Sequence, residues 1–157
     1  MGVLDWIETT RLAVWMQDSQ SILAFPAVLT LHTTGMGLLV GASWMLDLRL
    51  LGINRNVPLS AYRWVFPVVA LGLVVNLTTG VMLFLKNATT WGTSIPFLVK
   101  MCLVVASAAT IVPMRSYVFH TGAEQSPSTN ARLLAIVSIL TWSGAVTAGR
   151  LLAYLAV

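Results

Sequence analysis

The stretch SILAFPAVLTLHTTGMGLLVGASWML, residues 21–46, decides the fold. It carries no Asp, Glu, Lys or Arg over a length that exceeds the roughly 20 residues a helix needs to cross the hydrocarbon core. Within it sit His32 and three glycines, Gly35, Gly37 and Gly41. Histidine is expensive in lipid and glycine is a weak helix former, so this span gives up apolar surface at one place. What His32 touches is the central functional question.

Three further runs have the same character, at about 64–85, 96–119 and 132–156. The segments between them carry turn chemistry: GINRNVPLS, then KNATTWGTSIP, then TGAEQSPSTN. Pro96 suits the first turn of a helix, Asn130 is a reasonable N-cap, and Pro113 lies deep enough in its span to kink it. Residues 3–17 read as a short interfacial helix with Val3, Ile7 and Val14 on one side and Trp6 and Trp15 at headgroup level. The expected fold is therefore all-α: an integral membrane four-helix up-down bundle with a short N-terminal interfacial helix, one transmembrane domain over residues 1–157.

Composition agrees. The chain is 57 % hydrophobic and 9 % charged, with a mean hydropathy of +0.85. A soluble domain carries roughly a quarter charged residues. The net charge of +4 is spread thinly at the ends of apolar runs, which sets orientation in a membrane and excludes a nucleic-acid patch. Arg49, Arg55 and Arg63 follow the first span, and Arg115 and Arg132 flank the third loop; this excess places those loops in the cytoplasm. Both termini are then expected on the outer side, which is the periplasm if the host is Gram-negative. The start MGVLDWIETT has neither a basic nor an apolar leader region, so no signal peptide is expected, and Trp6 breaks the myristoylation pattern.

Cys102 is the single cysteine, so there is no disulfide framework, and the absence of CxxCH excludes a covalently attached haem. No P-loop, GxGxxG, GxSxG or HExxH occurs, which leaves no recognisable soluble-enzyme chemistry.

Intramembrane polar groups are the site candidates. At a rise of 1.5 Å per residue, His32 lies about 15 Å and Lys100 about 7 Å below the outer surface. Arg150 is similarly shallow and Asn76 is near the middle of its span. Each helix thus offers one polar group to the outer half: His32, Asn76, Lys100 and Arg150. His32, Gly35 and Met36 share a helix face, as do Gly72, Asn76, Thr79 and Gly80. His120 ends the third span on the far side and cannot share a ligand with His32.

Three readings follow. In the first, His32 is an axial ligand of haem b, Gly35 opens a slot for the ring, and Lys100 and Arg150 meet the propionates. The second ligand is then a methionine, a partner protomer's histidine, or none. In the second, His32 with Met36, Met82 and Met101 forms a soft set for copper. In the third there is no cofactor: Gly37 and Gly41 form a close-packing pair and His32 bonds Asn76 or Thr79. All three are compatible with a homo-oligomer or with a subunit of a larger membrane complex. Asp47, at the end of the first span, opposes the helix dipole and is expected to pair with Arg115 or Arg132.

LHTTGMGLLVGASWMLDLRLLG (31–52), FLVK (97–100) and AGRLLAY (148–154) resemble a family of small bacterial four-helix inner-membrane proteins known only as a domain of unknown function. The pattern is more loosely similar to the membrane part of copper-resistance D proteins and to four-helix cytochrome b subunits. That resemblance implies the four-span fold, special status for His32, Lys100 and Arg150, and either copper passage or haem-borne electron transfer. Unlike the cytochrome subunits, this chain lacks paired histidines on facing helices, which argues against a two-haem wire.

Overall fold

The computed structural model describes residues 2–120 and 127–155, and every regular element in them is helical. Two short helices come first, α1 (Val3–Glu8) and α2 (Arg11–Asp18). The long α3 (Phe25–Leu51) follows, then a 3-10 helix (Leu59–Tyr62) and α4 (Val65–Lys86). The short α5 (Ala88–Gly92) leads into α6 (Ile95–His120), and α7 (Thr129–Leu155) completes the bundle. The four long helices are each long and apolar enough to cross a bilayer, so the protein is a four-span membrane bundle with short N-terminal helices.

Local chemistry explains the ends. Pro26 sits in the first turn of α3, where its missing N–H costs nothing. Gly52 stops that helix in the left-handed region at φ 105°, and its N–H bonds back to Leu48 and Arg49. α3 thus runs five residues beyond the expected boundary at 46, and Asp47 and Arg49 lie within it. The expected interfacial helix over 3–17 is split, because the Thr10 side chain accepts from Ala13 N and starts a new helix. Ala13 and Met16 are its buried residues, while Val3 and Val14 are exposed, so the anticipated stripe is not the packed one. At α7, Ser128 Oγ accepts from Ala131 N at 3.3 Å; Ser128 is the cap and Asn130 lies inside the helix. α6 continues through Pro113. Most of the third loop, and the end of the last expected span at 156, lie outside the described residues.

Around the bundle, α4 packs on α3, α3 on α7 and α7 on α6. The closest seam is α3–α4. A Cβ on Gly72 would lie 2.8 Å from Leu39 N and 2.9 Å from the Gly35 carbonyl oxygen, so only glycine permits this approach. The fourth seam, α4–α6, has no comparable backbone contact. It is closed at its two ends by aromatic pairs. Phe66 and Phe119 meet at 5.9 Å, and Phe84 and Phe97 stack at 5.1 Å.

The main core fills the half of the bundle that carries Arg49, Arg63, Arg115 and Arg132, here the arginine end. It is built from Leu39, Leu46, Leu50, Val65, Val69, Met114, Val118 and Trp142. The other half, the α5 end, holds only a small cluster in which α2 places Met16 against Val28 and Leu83. Lys86 Nζ sits 3.8 Å above the Phe25 ring, and Gln17 Nε2 donates to the Lys86 carbonyl at 2.9 Å, so α2, α3 and α4 are tied there. Leaner packing at this end leaves the space in which His32 sits.

Candidate functional site

His32 is half-buried between α3 and α4. Its Nδ1 lies 3.0 Å from Thr79 Oγ1. The Thr79 hydroxyl proton is already committed, because Oγ1 donates to the Val75 carbonyl at 2.6 Å. Thr79 therefore accepts, and His32 donates through Nδ1–H. In a neutral imidazole the lone pair then resides on Nε2. The Nδ1–Cε1 edge of the ring faces α4, since a Cβ on Gly80 would lie 3.2 Å from His32 Cε1. The Nε2–Cδ2 edge is consequently turned away from α4. Asn76 Nδ2 donates to the His32 main-chain carbonyl at 3.0 Å, a second tie between the two helices.

Three cavities adjoin this ring, and Lys100 lines all of them. The largest, about 200 Å³, lies in the α4–α6 seam between Asn76, Gly80 and Phe84 on one side and Phe97, Lys100 and Met101 on the other. A second, about 130 Å³, reaches Trp91, Gly149 and Leu152. A third, about 110 Å³, extends past Met36 to Arg150. Lys100 lies beside Gly149, where a Cβ would sit in ordinary contact, 3.6 Å from Lys100 Cε and Nζ. The sequence-predicted residues His32, Asn76, Lys100 and Arg150 are thus brought around one group of cavities.

Other expectations need correction. Gly35 does not open a slot beside the ring: a Cβ there would lie 2.9 Å from Val75 Cγ1, so it serves the α3–α4 contact. The room next to the imidazole comes from Gly80. Met36 and Met101 line different cavities, and Met82 packs against the Met16–Val28–Leu83 cluster away from all three. The four-ligand copper set is therefore not assembled. Gly37 and Gly41 have nothing within 4 Å of a would-be Cβ, so they form no close seam among the described residues. Asp47 has no ion-pair partner among the described residues; Arg115 and Arg132 are exposed, and Arg115 lies 5.6 Å from the Phe119 ring.

Thr79 and Gly80 were placed by spacing on one face with Asn76, and the expected His32–Thr79 bond is formed; Gly149 was not singled out. Trp91 falls in a segment that reads as a turn, and Phe84 and Phe97 read as ordinary span residues. Among the described residues no three His, Cys, Asp or Glu side chains gather to hold a metal ion. Comparison with family models, curated proteins and solved structures finds no match to this chain.

Proposed function

We propose that this protein is a cytochrome-b-like haem-binding or redox-accessory protein, with His32 Nε2 as the axial ligand. The observation that carries the reading is the Thr79–His32 bond. It fixes the tautomer that leaves the Nε2 lone pair free, on the ring edge turned away from α4. Lys100 lines the same cavities, and Arg150 stands exposed at one of them; both suit propionate groups. The donor set favours haem over a bare ion. Haem brings its own ring nitrogens and needs only one imidazole from the protein, whereas copper would need His32 with several methionines, and Met36, Met101 and Met82 lie at different places around the ring. The α4–α6 seam from Asn76 to Phe84 is about 12 Å long, room for the edge of a flat ring. When bound, haem supplies one-electron transfer. The residues of this chain bind it, orient its ligand and keep water from it.

The basic loops favour an orientation with both termini outside, with the site then in the outer half, and the resemblance to a bacterial family favours a bacterial inner membrane. The resemblance to the uncharacterised four-helix family belongs to the same proposal. Association with a second copy, or with a larger membrane complex, would supply the electron partner.

The test is an absorption spectrum of the detergent-purified protein, oxidised and dithionite-reduced, with metal analysis of the same sample. A Soret band that shifts on reduction and is lost in a folded His32→Ala variant is the expected result. A colourless, iron-free protein from haem-replete cells overturns the reading. Copper in that sample favours the rival metal; no metal at all leaves His32 as a packing and hydrogen-bonding residue.

A further inference from the structure

A second polar centre lies far from this site. Asp47 stands fifteen residues along α3 from His32, about 22 Å at the helical rise. Its relative exposure is 0 %, and both carboxylate oxygens lack a hydrogen-bond partner. Ser138 on α7 faces it just outside bonding geometry; its own Oγ is unpartnered, at 1 % exposure. Trp142 is one turn further on α7 with its Nε1 unpartnered, again in the buried core. Two acceptors and two donors are thus left unmatched in one stretch of the α3–α7 core. Beside Ser138 is a cavity of about 10 Å³, near the size of a single water, also lined by Ser43 and Thr110.

Among the described residues no countercharge pairs with Asp47. The Arg49 guanidinium is turned to the following loop, where Nε donates to the Val57 carbonyl and Nη2 to that of Arg55, while Nη1 is buried with no hydrogen bond. α4 contributes Val65, Phe66 and Val69 to this core, and α6 contributes Met114 and Val118. The 3-10 helix contributes Leu59 and Tyr62; Tyr62 and, packed against the cluster from α6, Tyr117 are its titratable side chains among the described residues. A lone carboxylate in such surroundings is far costlier than the neutral acid.

We propose that Asp47 is a proton-binding site: a carboxyl that carries its proton within the packed protein core at the arginine end of α3, with the Ser138 hydroxyl as its hydrogen-bond partner. Uptake forms an O–H bond on one carboxylate oxygen and release breaks it; no electrons move. The proposal is independent of any cofactor at His32.

Two measurements on the full-length protein test it. An apolar carbodiimide adds a protonated carboxyl across its C=N bond and rearranges to an N-acylurea with no leaving group. Mass spectrometry of the labelled protein should find the whole reagent on Asp47 and lose it in Asp47→Asn. A water-soluble carbodiimide serves as the control, labelling the exposed Asp5 and Asp18 instead. In the infrared, a carboxylic-acid carbonyl band should be present at neutral pH and vanish in Asp47→Asn, a near-isosteric change whose folding is checked by thermal unfolding. Absence of that band in the parent protein, or its persistence in a folded Asn variant, overturns the proposal. Protection of Asp47 from the carbodiimide by sodium also overturns it, because a metal cation is then the occupant.

Discussion

Thr79 Oγ1 lies 3.0 Å from His32 Nδ1 while donating its own proton to the Val75 carbonyl at 2.6 Å. A hydroxyl that is spent on its own helix in this way acts on the neighbouring helix only as an acceptor. It selects one imidazole tautomer and one ring orientation. Thr79→Val keeps the shape and removes the acceptor. Haem titration followed at the Soret band should then weaken by about 10- to 100-fold, the usual cost of losing such an outer partner. Thr79→Ser should retain most of the affinity. Equal titrations for Val and the parent protein would remove the bond from the account of binding.

Lys100 lines all three cavities described beside His32, so it should serve whatever anionic group enters there. Loss of a charged hydrogen-bond partner costs about 1.5–3 kcal/mol. Lys100→Met should therefore weaken binding of haem by about 10- to 100-fold. The same titration with a haem dimethyl ester, which lacks the carboxylates, should show little difference between variant and parent. A matching loss with the ester would make Lys100 a packing residue.

The glycines divide into two classes with opposite expectations. Gly72→Ala forces a Cβ against Leu39 N and the Gly35 carbonyl, both backbone atoms that cannot swing aside. It should destabilise the bundle by about 1–3 kcal/mol, read as a lower midpoint of unfolding in detergent. Gly37→Ala and Gly41→Ala meet nothing within 4 Å. Each should leave the monomer as stable or gain up to about 1 kcal/mol from helix propensity. A large loss at Gly37 or Gly41 would reveal a contact with a second chain.

Glu8 ties the N-terminal helices to the bundle. Its Oε1 accepts from Thr89 N at 2.8 Å and from Thr89 Oγ1 at 2.7 Å, which joins α1 to the start of α5. Glu8→Ala should release α1 at a cost of about 1.5–3 kcal/mol in local opening. Hydrogen exchange is the measurement: amides of residues 3–18 should exchange faster while those of α3 and α7 stay protected. Unchanged exchange in α1 would mean that apolar contacts alone hold it.

Much of the fold was legible because lipid leaves a chain few options. Long uncharged runs must be helices, and turn residues must fall between them. The left-handed Gly52 was harder to place, since DLRLL is as good a helix as the residues before it. The site was legible in part. Helical spacing tells which residues share a face, and the rise per residue grouped His32, Asn76, Lys100 and Arg150 in the outer half. It does not tell which neighbour that face meets. Gly35 and Gly80 both flank His32, yet one meets the backbone of α4 and the other meets the ring. Asp47 was read by charge, which suggested an arginine; the rotation of α3 turns it instead toward Ser138, and only packing decides that.

The two phenylalanine pairs that pin the ends of the α4–α6 seam have a consequence for supply. Between them the widest cavity is flanked by exposed Leu77, Val81 and Met101, side chains that in a bilayer face acyl chains rather than water. A ligand arriving through that gap comes sideways, already dissolved in the lipid. Its effective concentration is then its mole fraction in the membrane, so a compound scarce in the aqueous phase can still saturate the site.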